Sequence, residues 1–134
     1  MTAIHVGQEL AFGPSGSSRI SSRCTENGIV WSDQDGVEKE KTTSPEEIKE
    51  LALKHTLCFT GDAIEELASK MLDKILVAKT LQYVQVFART SPNQKDFIVG
   101  KLNALGLTTL MCGDGTNDVG SLKRSHCGVA VINK

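Results

Sequence analysis

The spacing of apolar residues along this 134-residue chain changes several times, and each change marks an element. In TLCFTGD, residues 56–62, a short apolar run closed by Gly-Asp predicts a buried strand. Downstream, Ile64, Leu67, Ala68, Met71, Leu72, Ile75 and Leu76 recur at three-and-four spacing, which predicts an amphipathic helix with that stripe in the core. YVQVFA at 83–88 predicts a strand, SPNQKDFIVGKLNALG a proline-started helix ending at Gly106, and LTTLMC at 107–112 another strand. A helix beginning near Asn117 and a strand GVAVI at 128–132 complete the series. From residue 80 onward strands and helices alternate, as in an α/β protein whose parallel sheet is covered by helices.

The first half is less regular. IHVGQEL at 4–10 permits a piece of helix, but AFGPSGSSRISSR then breaks any pattern with Gly, Pro and Ser. GIVWSDQDGV at 28–37 places Ile29, Val30 and Trp31 before an Asp-Gly turn and predicts a small surface hairpin, with Trp31 as a packing residue. Ser44 as a cap, Pro45 at the first helical position and Glu46 and Glu47 in the first turn predict a helix from Pro45 to about His55. Residues 11–44 therefore read as an irregular and hairpin insert, and residues 80–132 as the best-defined α/β core.

Composition narrows the partners. Fifteen basic and 16 acidic residues nearly cancel, so no overall field favours nucleic acid or an anionic membrane surface. Cys24, Cys58, Cys112 and Cys127 are scattered, without a Cys-x-x-Cys pair or a histidine at ligand spacing, which argues against zinc and for reduced thiols. No apolar run approaches the roughly 18 residues of a membrane span, and the N-terminus lacks signal-peptide order, so the expectation is a soluble segment.

The densest polar run is LMCGDGTNDVGSLK, Leu110 to Lys123, with two aspartates four residues apart in a glycine-rich turn behind an apolar strand. In a parallel sheet, ligand-handling groups collect at the carboxyl ends of strands, so Asp114 is expected at that rim. Gly113 and Gly115 permit a sharp turn and a close approach of backbone amides to a ligand. Asn117 and Asp118 fall at the start of the next helix, where free N–H groups favour anions. Two bare carboxylates repel a phosphate, so the arrangement points to a hard cation such as Mg²⁺ beside a phosphate oxygen. Lys95, in ARTSPNQK beyond the preceding strand, adds an ammonium that neutralises phosphate charge. The competing reading is structural, because Asp and Asn also serve turns and helix caps and a lone lysine on a helix is ordinarily solvated.

Beyond these residue-level arguments, GDGTNDVGSLK at 113–123 resembles the hinge motif of the P-type ATPases. VFARTSPNQK at 86–95 resembles the segment that precedes this motif in their phosphorylation domain, in the same order and at the same separation. Val119, with LGLTTLMCGDG and LCFTGDAIEEL, is most similar to the fifth class, in its subgroup of endoplasmic-reticulum transmembrane-helix dislocases. TAIHVGQEL resembles the stretch directly after the family's Thr-Gly-Asp-Asn-Pro motif. The resemblance implies a partial phosphorylation domain over 1–134, with the Rossmann-like three-layer parallel sheet of the haloacid-dehalogenase superfamily. That sheet would be incomplete, its central first strand missing, and so rearranged or loosely packed. The resemblance further implies that Asp114 ligates Mg²⁺, Lys95 contacts the phosphoryl group, Asn117 and Asp118 order the site, and Arg89 and Gly115 serve bound ATP. The reaction implied is transfer of the ATP γ-phosphoryl to an aspartate and hydrolysis of that aspartyl-phosphate, coupled to movement of a membrane helix or cation. The implied partners are the nucleotide-binding domain and membrane helices of a parent ATPase in the endoplasmic-reticulum membrane, with this part facing the cytosol.

Departures from the family bear on what the chain does alone. The Asp-Lys-Thr-Gly-Thr motif that carries the phosphorylated aspartate is absent, and Thr60-Gly61-Asp62 is not the family's Thr-Gly-Asp-Asn-Pro. Asp114 and Asp118 do not replace the nucleophile, because a metal-bound carboxylate is not free to attack phosphorus. The expectation is a segment that alone hydrolyses no ATP and binds Mg²⁺ weakly. Ser121 and the Ser125-His126 pair differ from the usual family residues, with little consequence expected. Two other readings compete: a non-catalytic binding or regulatory module, and a stand-alone dehalogenase-like phosphatase. For the phosphatase the nearby Asp-x-Asp is Asp33 and Asp35, which fits a hairpin turn better.

Overall fold

The computed structural model of the chain describes residues 18–25, 27–70 and 73–132. The chain divides into two compact units, Met1–Arg89 and Thr90–Lys134. The helical piece expected over 4–10 lies outside the described residues.

In the first unit, β1 (Arg19–Thr25), β2 (Gly28–Ser32), β3 (Glu38–Thr42), β4 (Thr56–Thr60) and β5 (Val86–Ala88) form one sheet in the order β3-β2-β1-β4-β5. The first three strands are antiparallel neighbours, whereas β1 with β4 and β4 with β5 pair in parallel. The sheet is therefore mixed, which corrects the expected parallel one. The hairpin at 28–37 forms, but within this sheet and not as a surface appendage, because Ile29, Val30 and Trp31 are all buried. Trp31 packs as expected: its indole N–H donates to Thr42 Oγ1 at 2.9 Å and its ring lies 5.6 Å from that of Phe59.

β1 lies in the stretch expected to be irregular. Its buried positions are Ile20 and Cys24, with Ser22 between them and the Ser22 hydroxyl oxygen also buried. A serine at an inward position hides the period of two on which a strand is recognised. α1 (Pro45–Lys54) follows expectation, with a reciprocal cap in which Ser44 Oγ accepts from Glu47 N–H and the Glu47 carboxylate accepts from Ser44 N–H, each at 3.3 Å.

The apolar stripe after residue 61 splits, in contrast to the single helix expected. α2 (Gly61–Lys70) buries Ala63, Ile64 and Leu67, and α3 (Lys74–Leu81) starts afresh where Asp73 accepts from the amides of Ile75 and Leu76. This new cap outweighs the continuity of spacing and leaves Ile75 63% exposed. Met71 and Leu72 lie outside the described residues. β5 is shorter than the 83–88 expected, because Tyr83 and Val84 still donate to carbonyls of α3.

The second unit contains α4 (Pro92–Ala104), β6 (Leu110–Gly113), a 3₁₀ turn at Thr116–Asp118, α5 (Val119–Arg124) and β7 (Cys127–Ala130). Ser91 caps α4 reciprocally with Gln94. Gly106, with φ of 80°, ends it in a left-handed turn where Leu107 N–H reaches Leu102 O and Gly106 N–H reaches Asn103 O. β6 and β7 pair in parallel from Leu110 opposite Cys127 to Gly113 opposite Ala130. Parallel pairing after residue 80 is thus present in each unit, β5 with β4 in the first and β6 with β7 in the second. Alternation of strand and helix reports the crossover and not which strands become neighbours.

Candidate functional site

Apart from Arg89, the residues expected to handle phosphate and Mg²⁺ lie in the second unit. The Ser91 cap and Pro92 fix the first turn of α4, and Lys95 is the first residue whose amide closes back onto the cap carbonyl, at 3.0 Å. Its ammonium donates to Asp118 Oδ1 at 2.8 Å. The Lys95 side chain is 37% exposed and that of Asp118 8%, so the pair stands at the edge of solvent with its carboxylate inside. A nearly buried carboxylate without a partner is unfavourable by several kcal/mol, on the order of 3–5. The lysine is therefore a requirement of Asp118 as much as an ornament to it.

Gly113 explains how Asp118 fits. A methyl group at position 113 would stand 2.7 Å from both Cβ and Oδ2 of Asp118. The glycine thus acts by lacking a side chain. Neither it nor Gly115 has left-handed φ, so the sharp glycine turn expected from the sequence is not what these two residues supply. Asp114 directly follows β6, at its carboxyl end, and is exposed, as are Gly115 and Asn117. The helix expected near Asn117 begins as the 3₁₀ turn, and α5 has only six residues, so little dipole builds up behind it. Ser121, buried, donates its hydroxyl to Asp118 O at 3.0 Å and braces the same turn.

Lys95 and Asp118 are thus brought together, and Asp114, Gly115 and Asn117 share their turn. Arg89 belongs to the first unit, exposed directly after β5, with φ of 54°. A left-handed backbone is uncommon for a residue other than glycine, and where it occurs it often marks a functional position.

Sequence reasoning missed two residues nearby, Asp96 and Arg124, joined by an Nε–H to Oδ1 bond of 2.5 Å. Asp96, Gly100 and Asn103 fall at positions i, i+4 and i+7 of α4, a polar stripe that was available in the sequence. Ser125 and His126 also do structural work: the Ser125 hydroxyl bonds Leu122 O, and His126 Nδ1 accepts from Thr109 N–H.

As donors for Mg²⁺ these residues fit one side of a coordination shell. Among the described residues no group of three or more His, Cys, Asp or Glu gathers to hold a metal. Asp118 is committed to Lys95 through Oδ1 and faces Gly113 with Oδ2, which leaves Asp114 as the exposed carboxylate of the turn. One carboxylate with waters and phosphate oxygens is an ordinary Mg²⁺ set.

The remaining candidates have structural roles. Asp33 Oδ1 accepts from Asp35 N–H and Val37 N–H, and Oδ2 meets Lys39 at 3.0 Å. The Lys39 ammonium, with the Val37 amide, holds the Asp33 carboxyl below its usual range. This is the hairpin-turn reading of Asp33 and Asp35. All four cysteines are free; burial pushes the Cys24 and Cys58 thiols up to about 11, while Cys112 and Cys127 are exposed.

No family model matches the chain. It is 42% identical over 142 residues to a probable manganese-transporting ATPase of Arabidopsis thaliana and 32% identical over 138 residues to the endoplasmic reticulum transmembrane helix translocase of Saccharomyces cerevisiae, each match covering 99% of the chain. It is 45% identical over 80 residues, 60% of the chain, to the translocase of Schizosaccharomyces pombe. The chain spans 11% of the length of the first two relatives and 6% of the third. The homologues of this chain are P-type ATPases, the endoplasmic reticulum transmembrane helix translocases among them.

Proposed function

We propose that the chain is a partial phosphorylation domain of a P-type transport ATPase. It supplies the Mg²⁺-binding and phosphate-contacting half of a site whose aspartate nucleophile lies elsewhere in the parent protein. The observation that carries this reading is the Lys95 to Asp118 bridge in the turn that also bears the exposed Asp114, a turn whose sequence resembles the family's hinge motif.

In this reading Lys95 presents an ammonium to the phosphoryl oxygens, Asp118 orients that ammonium, and Asn117 orders the turn. Asp114 would hold Mg²⁺, which supplies neutralisation of charge on the phosphates when bound. Gly115 serves the nucleotide, ATP. The sheet of the parent is of the haloacid-dehalogenase Rossmann type. Exposure in the second unit supports a larger whole: parallel sheets are ordinarily covered on both faces, yet Leu110 of β6 is 68% and Val129 of β7 45% exposed.

The parent forms an aspartyl-phosphate from ATP and couples its hydrolysis to movement of a membrane helix or cation across the endoplasmic-reticulum membrane, with this domain on the cytosolic side. Its nucleotide-binding domain and membrane helices are the partners of this chain. Among the described residues no helix is long and apolar enough to cross a membrane. The chain alone hydrolyses no ATP.

A chimera tests the proposal. The chain replaces the matching segment of the Saccharomyces translocase, and radiolabelled phosphoenzyme formed from ATP is measured. Labelling that depends on Asp114 and Lys95 is expected. Labelling that survives both Asp114→Asn and Lys95→Met contradicts the assigned roles, as does ATP hydrolysis by the isolated chain.

A further inference from the structure

We propose that Asp96 and Arg124 form a positioning clasp that sets Lys95 against Asp118; its functional meaning rests on the phosphoryl-site reading above. Arg124 ends α5 and meets three residues of the α4 stripe. Its Nε–H donates to Asp96 Oδ1 at 2.5 Å, and its main-chain carbonyl accepts from Asn103 Nδ2 at 2.8 Å. Between these anchors its side chain crosses Gly100, where a methyl group would stand 2.9 Å from Cδ and 3.2 Å from Nη1. Asn103 Oδ1 in turn accepts from Thr109 Oγ1 at 2.7 Å, which ties the approach to β6 into the same network.

The geometry gives the clasp its consequence. Asp96 is the neighbour of Lys95, and Asp118 directly precedes α5, so fixing α4 against α5 fixes both ends of the bridge. The buried residues of α4 are only Ile98 and Val99. With so little apolar seam, the polar stripe specifies the register of the two helices, because directional bonds resist sliding where apolar contact does not. Asp96 also holds the guanidinium more firmly in its charged form. A lysine at 124 lacks the planar fork that lets one side chain span Gly100 and meet Asp96 through Nε.

The test uses the whole chain and reads the Lys95 ammonium by ¹⁵N NMR, with Asp118→Asn defining the signal of the broken bridge. Arg124→Ala and Asp96→Ala are expected to move the Lys95 signal most of the way to that position with far-UV circular dichroism unchanged. The exchange of Asp96→Arg with Arg124→Asp is expected to return it. Gly100→Ala, which leaves every charge in place and displaces only the Arg124 side chain, is expected to move it in the same direction. A Lys95 signal that stays put in Arg124→Ala and in Gly100→Ala overturns the clasp, as does one insensitive to Asp118→Asn. Inorganic phosphate binding by the same samples reports on the phosphoryl-site reading separately: no binding by a wild-type chain whose Lys95 signal responds to the clasp overturns that reading and supports the clasp.

Discussion

Replacing Gly113 by alanine isolates the steric basis of the Lys95 to Asp118 bridge. The new methyl group would stand 2.7 Å from Cβ and Oδ2 of Asp118 and 3.0 Å from its Cγ. Carbon contacts are optimal at about 3.5–4.0 Å, so the aspartate must withdraw by about 1 Å. Starting from 2.8 Å, the bridge then opens past the range of a hydrogen bond. A bond to a charged group contributes about 1.5–3 kcal/mol when buried; with Lys95 37% exposed, solvent screening reduces this to about 1–2 kcal/mol. Because the single tryptophan, Trp31, lies in β2, fluorescence does not report on α4 and α5 directly. The assay is native-state hydrogen exchange of the amides of α4 and α5. Gly113→Ala is expected to lower their opening free energy by that amount in the wild-type chain and by distinctly less in a Lys95→Met background, where no bridge remains to be broken. Equal losses in both backgrounds, within about 0.3 kcal/mol, refute the reasoning.

Ser44→Ala removes half of the α1 capping box and should cost about 1 kcal/mol in a urea titration followed by Trp31 fluorescence. Glu47, held below its ordinary value of 4.5 first by the Thr43 amide, contributes stability that is present above pH 4.5 and lost as pH falls. The stability difference between wild type and Glu47→Gln should therefore vanish on acidification. A thiol reagent at pH 8 should modify Cys112 and Cys127 promptly and Cys24 and Cys58 only on unfolding. Since burial raises the latter two from 9.0 to about 11, the unfolded chain loses these protons first, and stability should fall as pH rises between those values. Gly28→Ala, at φ of 125° with its new methyl group driven into Thr42 O, should destabilise by more than about 1 kcal/mol in the same urea assay.

The sequence makes elements legible where local chemistry and pattern agree. α1 and α4 announce themselves by a serine cap, a proline and a reciprocal Glu or Gln, and both form where expected. β1 escapes notice because Ser22 occupies an inward position, and the break before α3 escapes because the apolar spacing runs on past Asp73, which caps the new helix. Partner choice between strands is a property of the folded chain, so the antiparallel pairing of β1, β2 and β3 was not legible from alternation. At the candidate site, the place of Asp114 after an apolar strand was readable from the pattern, whereas the role of Gly113, which is to leave room for Asp118, was not. The bond from Lys95 to Asp118 spans 23 positions and has no local signature, and the same is true of Asp96 with Arg124.

The central claim, that the turn after β6 holds Mg²⁺ for phosphoryl chemistry, is tested most directly by titrating the ¹⁵N-labelled chain with Mn²⁺ as a paramagnetic stand-in. The account predicts weak binding that broadens the amides of Asp114 to Asn117 first, is reversed by excess Mg²⁺ and is abolished by Asp114→Asn. Broadening centred elsewhere, or unchanged in Asp114→Asn, would contradict it.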